Sequence, residues 1–227
     1  SVRTLRAETR MSHNSAKGRV KATVRLMAAR GGKLRFDAVS PFDTPLSTLV
    51  ANGAEFSLVD AKANRHYHGP ASACNLARLL HVQLEPDAAI TVLGGSTPLI
   101  GHRRASLEWD GRSGHEVLTL EGEDRRQIVH LHGALRDGRP RWDLAWSEIR
   151  AASGAVLLRI EADDHRAVDG LRMPQRLTIR QPPQAVELDL VFKALSVNLE
   201  LPAAAFELPP ANGLPSERVD CAGPASR

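Results

Sequence analysis

The chain reads as a mainly β protein: one large antiparallel sheet carrying a short helical insertion in its first third. Three observations say so. Val20, Ala22, Val24, Leu26 and Ala28 alternate with Lys21, Thr23, Arg25, Met27 and Ala29, the period of a strand with one buried face. Gly31-Gly32 and Asp110-Gly111 supply tight turns between such runs. Only Asn75–Leu80 and Asp87–Leu93 show helical patches, too short to stand without a sheet to lie on.

The elements follow in order. Leu5, Ala7, Thr9 and Met11 share one face of a first strand within 2–13. After the strand through Val24 and Leu26, the run carrying Leu34, Phe36 and Ala38 completes a hairpin over the glycine turn. Two prolines in Ser40-Pro41-Phe42-Asp43-Thr44-Pro45-Leu46 forbid a central strand, so Phe42 and Leu46 are expected in a loop. Strands resume at Thr48–Val50, Glu55–Asp60 and Arg65–His68. Ser72 is a suitable N-cap for the first helix, and Pro86 opens a second that Gly94-Gly95 ends.

Further strands are expected at 106–109, 116–121, 126–132, 141–149, 155–161, 176–180 and 185–197. In the last, Val186, Leu188, Leu190 and Phe192 oppose Glu187, Asp189, Val191 and Lys193. The stretch 199–213 is rich in proline and alanine, with Phe206 and Leu208 as anchors. These runs are read as one antiparallel sheet of about ten strands, too many for a flat open sheet, which must curl or split. The helices near 71–94 are its natural lid. Residues 1–213 form one domain and 214–227 a polar tail.

Aromatic residues make up 4% of the 227 residues, so the interior must be filled by Val, Leu, Ile and Ala. Such side chains suit strands and leave room for an apolar cavity. Thirty basic against 26 acidic residues give a net charge of +4 without any basic tract interleaved with aromatics; no nucleic-acid partner is expected. No apolar run approaches the roughly 20 residues of a spanning helix. Cys74 and Cys221 would be two ordinary thiols in a reducing compartment; in an oxidising one they would tie the tail to the body. We expect the disulfide.

The order of elements from Leu34 to Pro98, with Ser40-Pro41-Phe42, then Phe56-Ser57-Leu58-Val59-Asp60-Ala61-Lys62, Arg65 and Tyr67, resembles the bacterial lipoprotein-localisation proteins of the LolA/LolB superfamily. Leu76, Leu79, Leu80 and the ending Leu93-Gly94-Gly95 before Pro98 extend the resemblance, and Met173-Pro174 with the strands through Phe192 gives a fainter echo. The match is nearer to the LolB-like outer-membrane receptors than to the LolA-like periplasmic carriers.

It implies an incomplete antiparallel β-barrel under a helical lid, with an interior that accepts acyl chains. The expected lining is Val24, Leu26, Leu34, Phe36, Leu49, Phe56, Leu79, Leu80, Ile90, Leu93, Leu188, Leu190 and Phe192. It also implies a membrane-insertion loop, here Pro41, Phe42 and Leu46, with Phe42 where the family usually shows leucine. The expected partners are acyl chains of lipoproteins or lipids, a LolA-like carrier and the outer-membrane surface. The protein would face the periplasm as a monomer, anchored through a lipidated cysteine upstream of Ser1.

Two rivals accompany this reading. One is a sensor or assembly factor of the same fold that transports nothing. The other is a β-barrel metalloenzyme using His66 with His68, or His130 with His132, because residues two apart on a strand share a face. Asp60, Glu121 or His115 would complete its ligands. With nine histidines scattered along the chain, chance pairs are the better account, and no metal or other cofactor is implied. Phosphate loops, Gly-x-Ser-x-Gly and local Cys-His pairings are missing, and Asp163-Asp164 and the acidic run 121–124 fall at turns. The chain is not expected to be an enzyme.

Overall fold

A computed structural model describes residues 1–220 apart from 17, 41, 43, 81, 137 and 138; the side chains of 78–80, 134, 136 and 139 fall outside the description as well. Among the described residues the strands are β1 (Thr4–Ser15), β2 (Gly18–Ala29), β3 (Lys33–Val39), β4 (Pro45–Asn52), β5 (Glu55–Asp60) and β6 (Arg65–Pro70). Helices α1 (Ala73–Leu80) and α2 (Pro86–Leu93) follow. Then come β7 (Arg104–Asp110), β8 (His115–Glu121), β9 (Arg125–Arg136), β10 (Arg139–Ala151) and β11 (Val156–Asp163). The chain closes with β12 (Arg166–Val168), β13 (Leu171–Met173), β14 (Arg176–Gln181), β15 (Val186–Val197) and β16 (Ser216–Arg218).

Fourteen of these strands form one sheet in the order β16-β6-β5-β4-β3-β2-β1-β15-β14-β11-β10-β9-β8-β7. About ten were expected. Thirteen of the fourteen coincide with the alternating runs of the sequence, so the expected count was too low; β16, whose three side chains are all exposed, is the one that alternation does not flag. Every ladder is antiparallel except that of β16 with β6. Register shifts at Glu8/Thr9, Ala38/Val39, Leu144/Trp146 and Ile149/Arg150 add local bend to the twist that strands accumulate. The sheet curves but does not close, since no ladder among the described residues joins β16 to β7. β12 and β13 form a separate hairpin.

Alternation turns one face of each strand inward, towards the helices. Leu5 and Ala7 on β1 pair with Ala28 and Leu26 on β2, and these with Leu34 and Phe36 on β3. Across the ladder, Met11 pairs with Leu190, Leu190 with Leu177, and Leu177 with Ala162. All belong to one buried apolar cluster, which also takes in Leu76 of α1 and Ala89, Ile90, Val92 and Leu93 of α2. Val20 is an exception to its strand's alternation: β3 ends opposite Thr23, so Val20 lacks that neighbour and is exposed. Leu46, expected in the loop, lies in β4, which begins at Pro45. A strand's first residue tolerates a missing N–H, and the adjacent register shift absorbs the proline.

The outer face of β10, β11, β14 and β15 is a ladder of charges. Glu148 meets Arg159 at 2.9 Å, Arg159 meets Glu161 at 2.6 Å, Glu161 meets Arg180 at 2.9 Å, and Arg180 meets Glu187 at 2.6 Å. On β3–β6 the outer face is covered instead by the C-terminal segment. Phe206 and Ala205 are buried, and so is Val50, which lies outside the main cluster.

Candidate functional site

The two halves of the sheet are filled differently. Over β1–β6 the helices press on the inner face. Over β8–β10 that face is floored by Leu118, Val129, Leu131 and Leu144 and bounds a cavity of about 1150 Å³. Ile90 of α2, Leu99, and Leu171 and Met173 of β13 also line it; Val2 and Trp142 complete its apolar wall. Arg30, Asp87, Arg141 and Arg172 supply polar groups around it.

Each wall has its own fastening. Asp87 Oδ1 accepts a hydrogen bond from the Gly32 N–H at 2.8 Å, pinning the start of α2 to the β2–β3 turn. At the other end of the helix, Gly95 turns with φ of +77°, and a Cβ there would stand 2.6 Å from Pro174 Cδ. Only glycine allows that approach of the end of α2 to Pro174, the residue after β13. The segment after α2 is stapled down by fully buried Gln127. Its Nε2 donates to Ser147 Oγ at 2.9 Å and to the Pro98 carbonyl at 3.0 Å, and its Oε1 accepts from the Ile100 N–H at 3.0 Å. Arg172 meets Asp143 at 2.7 Å, joining β13 to β10, with the Asp143 side chain 10% exposed.

A smaller cavity of about 340 Å³ shares Asp143, Leu144, His165 and Arg172 with the large one. Its remaining lining includes His115, His132, Glu161, Asp163 and Asp164, a polar set that would cost an acyl chain its hydration advantage.

Of the sequence-predicted lining, Ile90 faces the large cavity. Val24, Leu26, Leu34, Phe36, Leu49, Phe56, Leu93, Leu188, Leu190 and Phe192 are buried in the packed cluster instead. The side chains of Leu79 and Leu80 lie outside the described residues, as do Pro41 and Cys221. Phe42 is 90% exposed and Leu46, on β4, 43%. Cys74 is disulfide-bonded. The residues that sequence reasoning passed over are Leu118, Val129, Leu131, Leu144, Leu171 and Met173. Those on β8 and β9 show the same period of two as the packed strands, so alternation marked their face without distinguishing hollow from filled.

The histidine pairs are occupied with other contacts. His66 Nε2 lies 2.7 Å from Ser57 Oγ and its Nδ1 2.8 Å from Ser216 Oγ, while the ring stacks on His68. Burial, and then the charge of His68, hold the His66 pKa below its ordinary value. His130 stacks on Trp146 with centroids 3.8 Å apart, and Arg159 covers Trp146 at 4.5 Å. Burial also lowers the His130 pKa, with His115 adding to the shift. Among the described residues no three His, Cys, Asp or Glu side chains are placed to hold a metal ion. None of the described helices is long and apolar enough to cross a membrane.

No family model matches the chain, and no curated protein matches it by sequence. Solved structures do. A DUF1329 family protein from Desulfovibrio piger aligns with a TM-score of 0.57 at 11% identity, over 91% of this chain and 90% of that one. A LolA superfamily protein from Nitrosomonas europaea aligns with a TM-score of 0.56 at 12% identity, over 90% of each chain. A domain assigned to outer membrane lipoprotein sorting, from Vibrio parahaemolyticus, gives 0.53 at 13% identity, over 89% of this chain and 88% of that one. The fold is LolA/LolB-like.

Proposed function

We propose that this chain is a lipid- or lipoprotein-binding protein of the cell envelope, which takes acyl chains into the cavity floored by β8–β10 and helps insert lipoproteins into the outer membrane. The observation that carries the reading is the size and lining of that cavity: about 1150 Å³, with aliphatic side chains of β8–β10, α2 and β13 around it. Each methylene moved from water into such a lining contributes about 0.8 kcal/mol, so about ten of them give roughly 8 kcal/mol before the costs of association. Flexible chains need no matching polar partners, and a wall of Leu, Val, Ile and Met adapts to them. Transfer from a LolA-like carrier would run downhill by relative affinity, without a cofactor or hydrolysis.

Phe42 fits the insertion step. Burying an exposed phenylalanine in lipid contributes about 2–3 kcal/mol, enough for a transient contact and too little for an anchor. An upstream lipidated cysteine would supply the anchor. An oxidising envelope compartment also suits a bond from Cys74 to Cys221, the chain's other cysteine. Val219, two residues before Cys221, is held near α1 by its N–H to the His68 carbonyl at 2.8 Å and by Asn75 Nδ2 to its own carbonyl at 3.4 Å.

Native mass spectrometry of protein purified from membranes is expected to show acyl-bearing adducts, and a fluorescent fatty acid is expected to compete with them. Phe42→Glu should keep that binding while abolishing lipoprotein insertion into vesicles. Protein that carries no lipid and takes up none refutes the carrier reading. Unimpaired insertion by Phe42→Glu refutes the role of the loop alone.

A further inference from the structure

β7 (Arg104–Asp110) ends the fourteen-stranded sheet, and its outer edge meets no strand among the described residues. Natural edge strands of this length are blunted by proline, by a bulge or by a charge turned towards the apolar side. β7 has none of these. Its sequence lacks proline, and its ladder with β8 runs from Arg104 to Asp110 without a register shift. The side chains in register with Leu120, Leu118 and Glu116 on the inner face are Ala105, Leu107 and Trp109. Leu107 is 59% exposed and Trp109 66%. The other end of the sheet differs: β16 has three residues and follows Pro215.

The strand is also complementary to itself. Laid antiparallel against a second copy about Leu107, it places Leu107 against Leu107 and the large Trp109 against the small Ala105 on the inner face. On the outer face Arg104 meets Asp110 and Ser106 meets Glu108. Apolar pairs and opposite charges are the cross-strand combinations that stabilise a ladder, and like charges the ones that oppose it. A shift of two residues in one direction sets Glu108 against Glu108; in the other it sets Arg103 against Trp109.

We propose that the chain forms a two-fold symmetric dimer by antiparallel pairing of β7 with β7 of a second copy, centred on Leu107. The two sheets then run on as one. Leu107 lies beside Leu118 and Leu118 beside Val129, so the floors of the two cavities join across the axis into a single apolar trough. One ladder buries little area, and the association is reversible. This departs from the monomer expected from sequence, because the reading of alternating runs does not reveal which strand lies at the edge. It holds whatever the cavity carries.

Sedimentation equilibrium is expected to show a monomer–dimer equilibrium, weakened at least about tenfold by Leu107→Arg, which sets two guanidinium groups face to face. A short thiol-directed cross-linker should join Leu107→Cys to itself. Ser106→Cys and Glu108→Cys should cross-link only when mixed, since each faces the other. Leu107 is exposed, so its variants leave the fold intact. Protein that remains monomeric up to about 1 mM overturns the proposal. So does a dimer indifferent to Leu107→Arg, or cross-linking of Leu135→Cys, on β9 away from the edge, as efficient as that of Leu107→Cys.

Discussion

His66 is fixed through both ring nitrogens, by Ser57 on the neighbouring strand and by Ser216 of the C-terminal segment. Its backbone N–H also donates to the Pro215 carbonyl at 3.0 Å. A charged imidazole has two donors and must abandon any hydroxyl hydrogen pointed at it. Burial and the neighbouring His68 lower its pKa in the folded chain, so the released chain binds the proton more readily. The stabilisation is therefore complete above the unfolded value of about 6.5 and is lost as pH falls below it towards the folded pKa. Exchange of the Val219 amide, corrected for its intrinsic pH dependence, should accelerate between about pH 7 and pH 5 in the native chain. His66→Gln keeps hydrogen-bonding capacity without titrating and should flatten that dependence. If the two proteins show the same pH profile, His66 is not the latch.

At the scale of elements, the strands with charged or polar residues alternating against aliphatic ones were legible from sequence. β1, β3, β5 and β15 turn inward the residues their alternation assigns, and α2 runs from Pro86 to Leu93 and stops at Gly94, as its terminal signals require. β16 was not legible, because backbone groups hold it: the Pro215 carbonyl accepts from His66, and the Val219 N–H donates to His68. Side-chain periodicity says nothing of such bonds. The position that reports this docking is Gly69, where an added Cβ would lie 2.1 Å from the Val219 carbonyl oxygen. Gly69→Ala should push the strap off β6, remove protection of the Val219 amide and cost about 1–3 kcal/mol in denaturant unfolding. Retained protection at Val219 would mean that the strap is held from elsewhere.

For the whole molecule, the consequence is an uneven distribution of packing over one continuous sheet. The β3–β6 part is covered on its inner face by α1 and α2 and on its outer face by the C-terminal segment, while β7 is bare. The same apolar alternation therefore yields a solid interior on one side and a floor on the other. What decides between them is which strands the helices reach, a property of topology rather than of periodicity. Periodicity alone therefore spreads the expected lining over β2–β5, α1, α2 and β15, of which Ile90 borders this cavity. Two substitutions separate the halves. Leu26 is 1% exposed in the packed cluster, and Leu26→Ala should cost about 2–5 kcal/mol while leaving acyl uptake per folded molecule unchanged. Leu131 lines the hollow, so Leu131→Trp fills space where none is contested. It should alter stability by no more than about 1 kcal/mol and reduce uptake of a fluorescent fatty acid several-fold. Unfolding curves and binding titrations on the same preparations read both effects. Should Leu131→Trp bind like the native chain while Leu26→Ala loses binding among molecules that remain folded, the acyl chain lies among the β2 and β3 side chains after all.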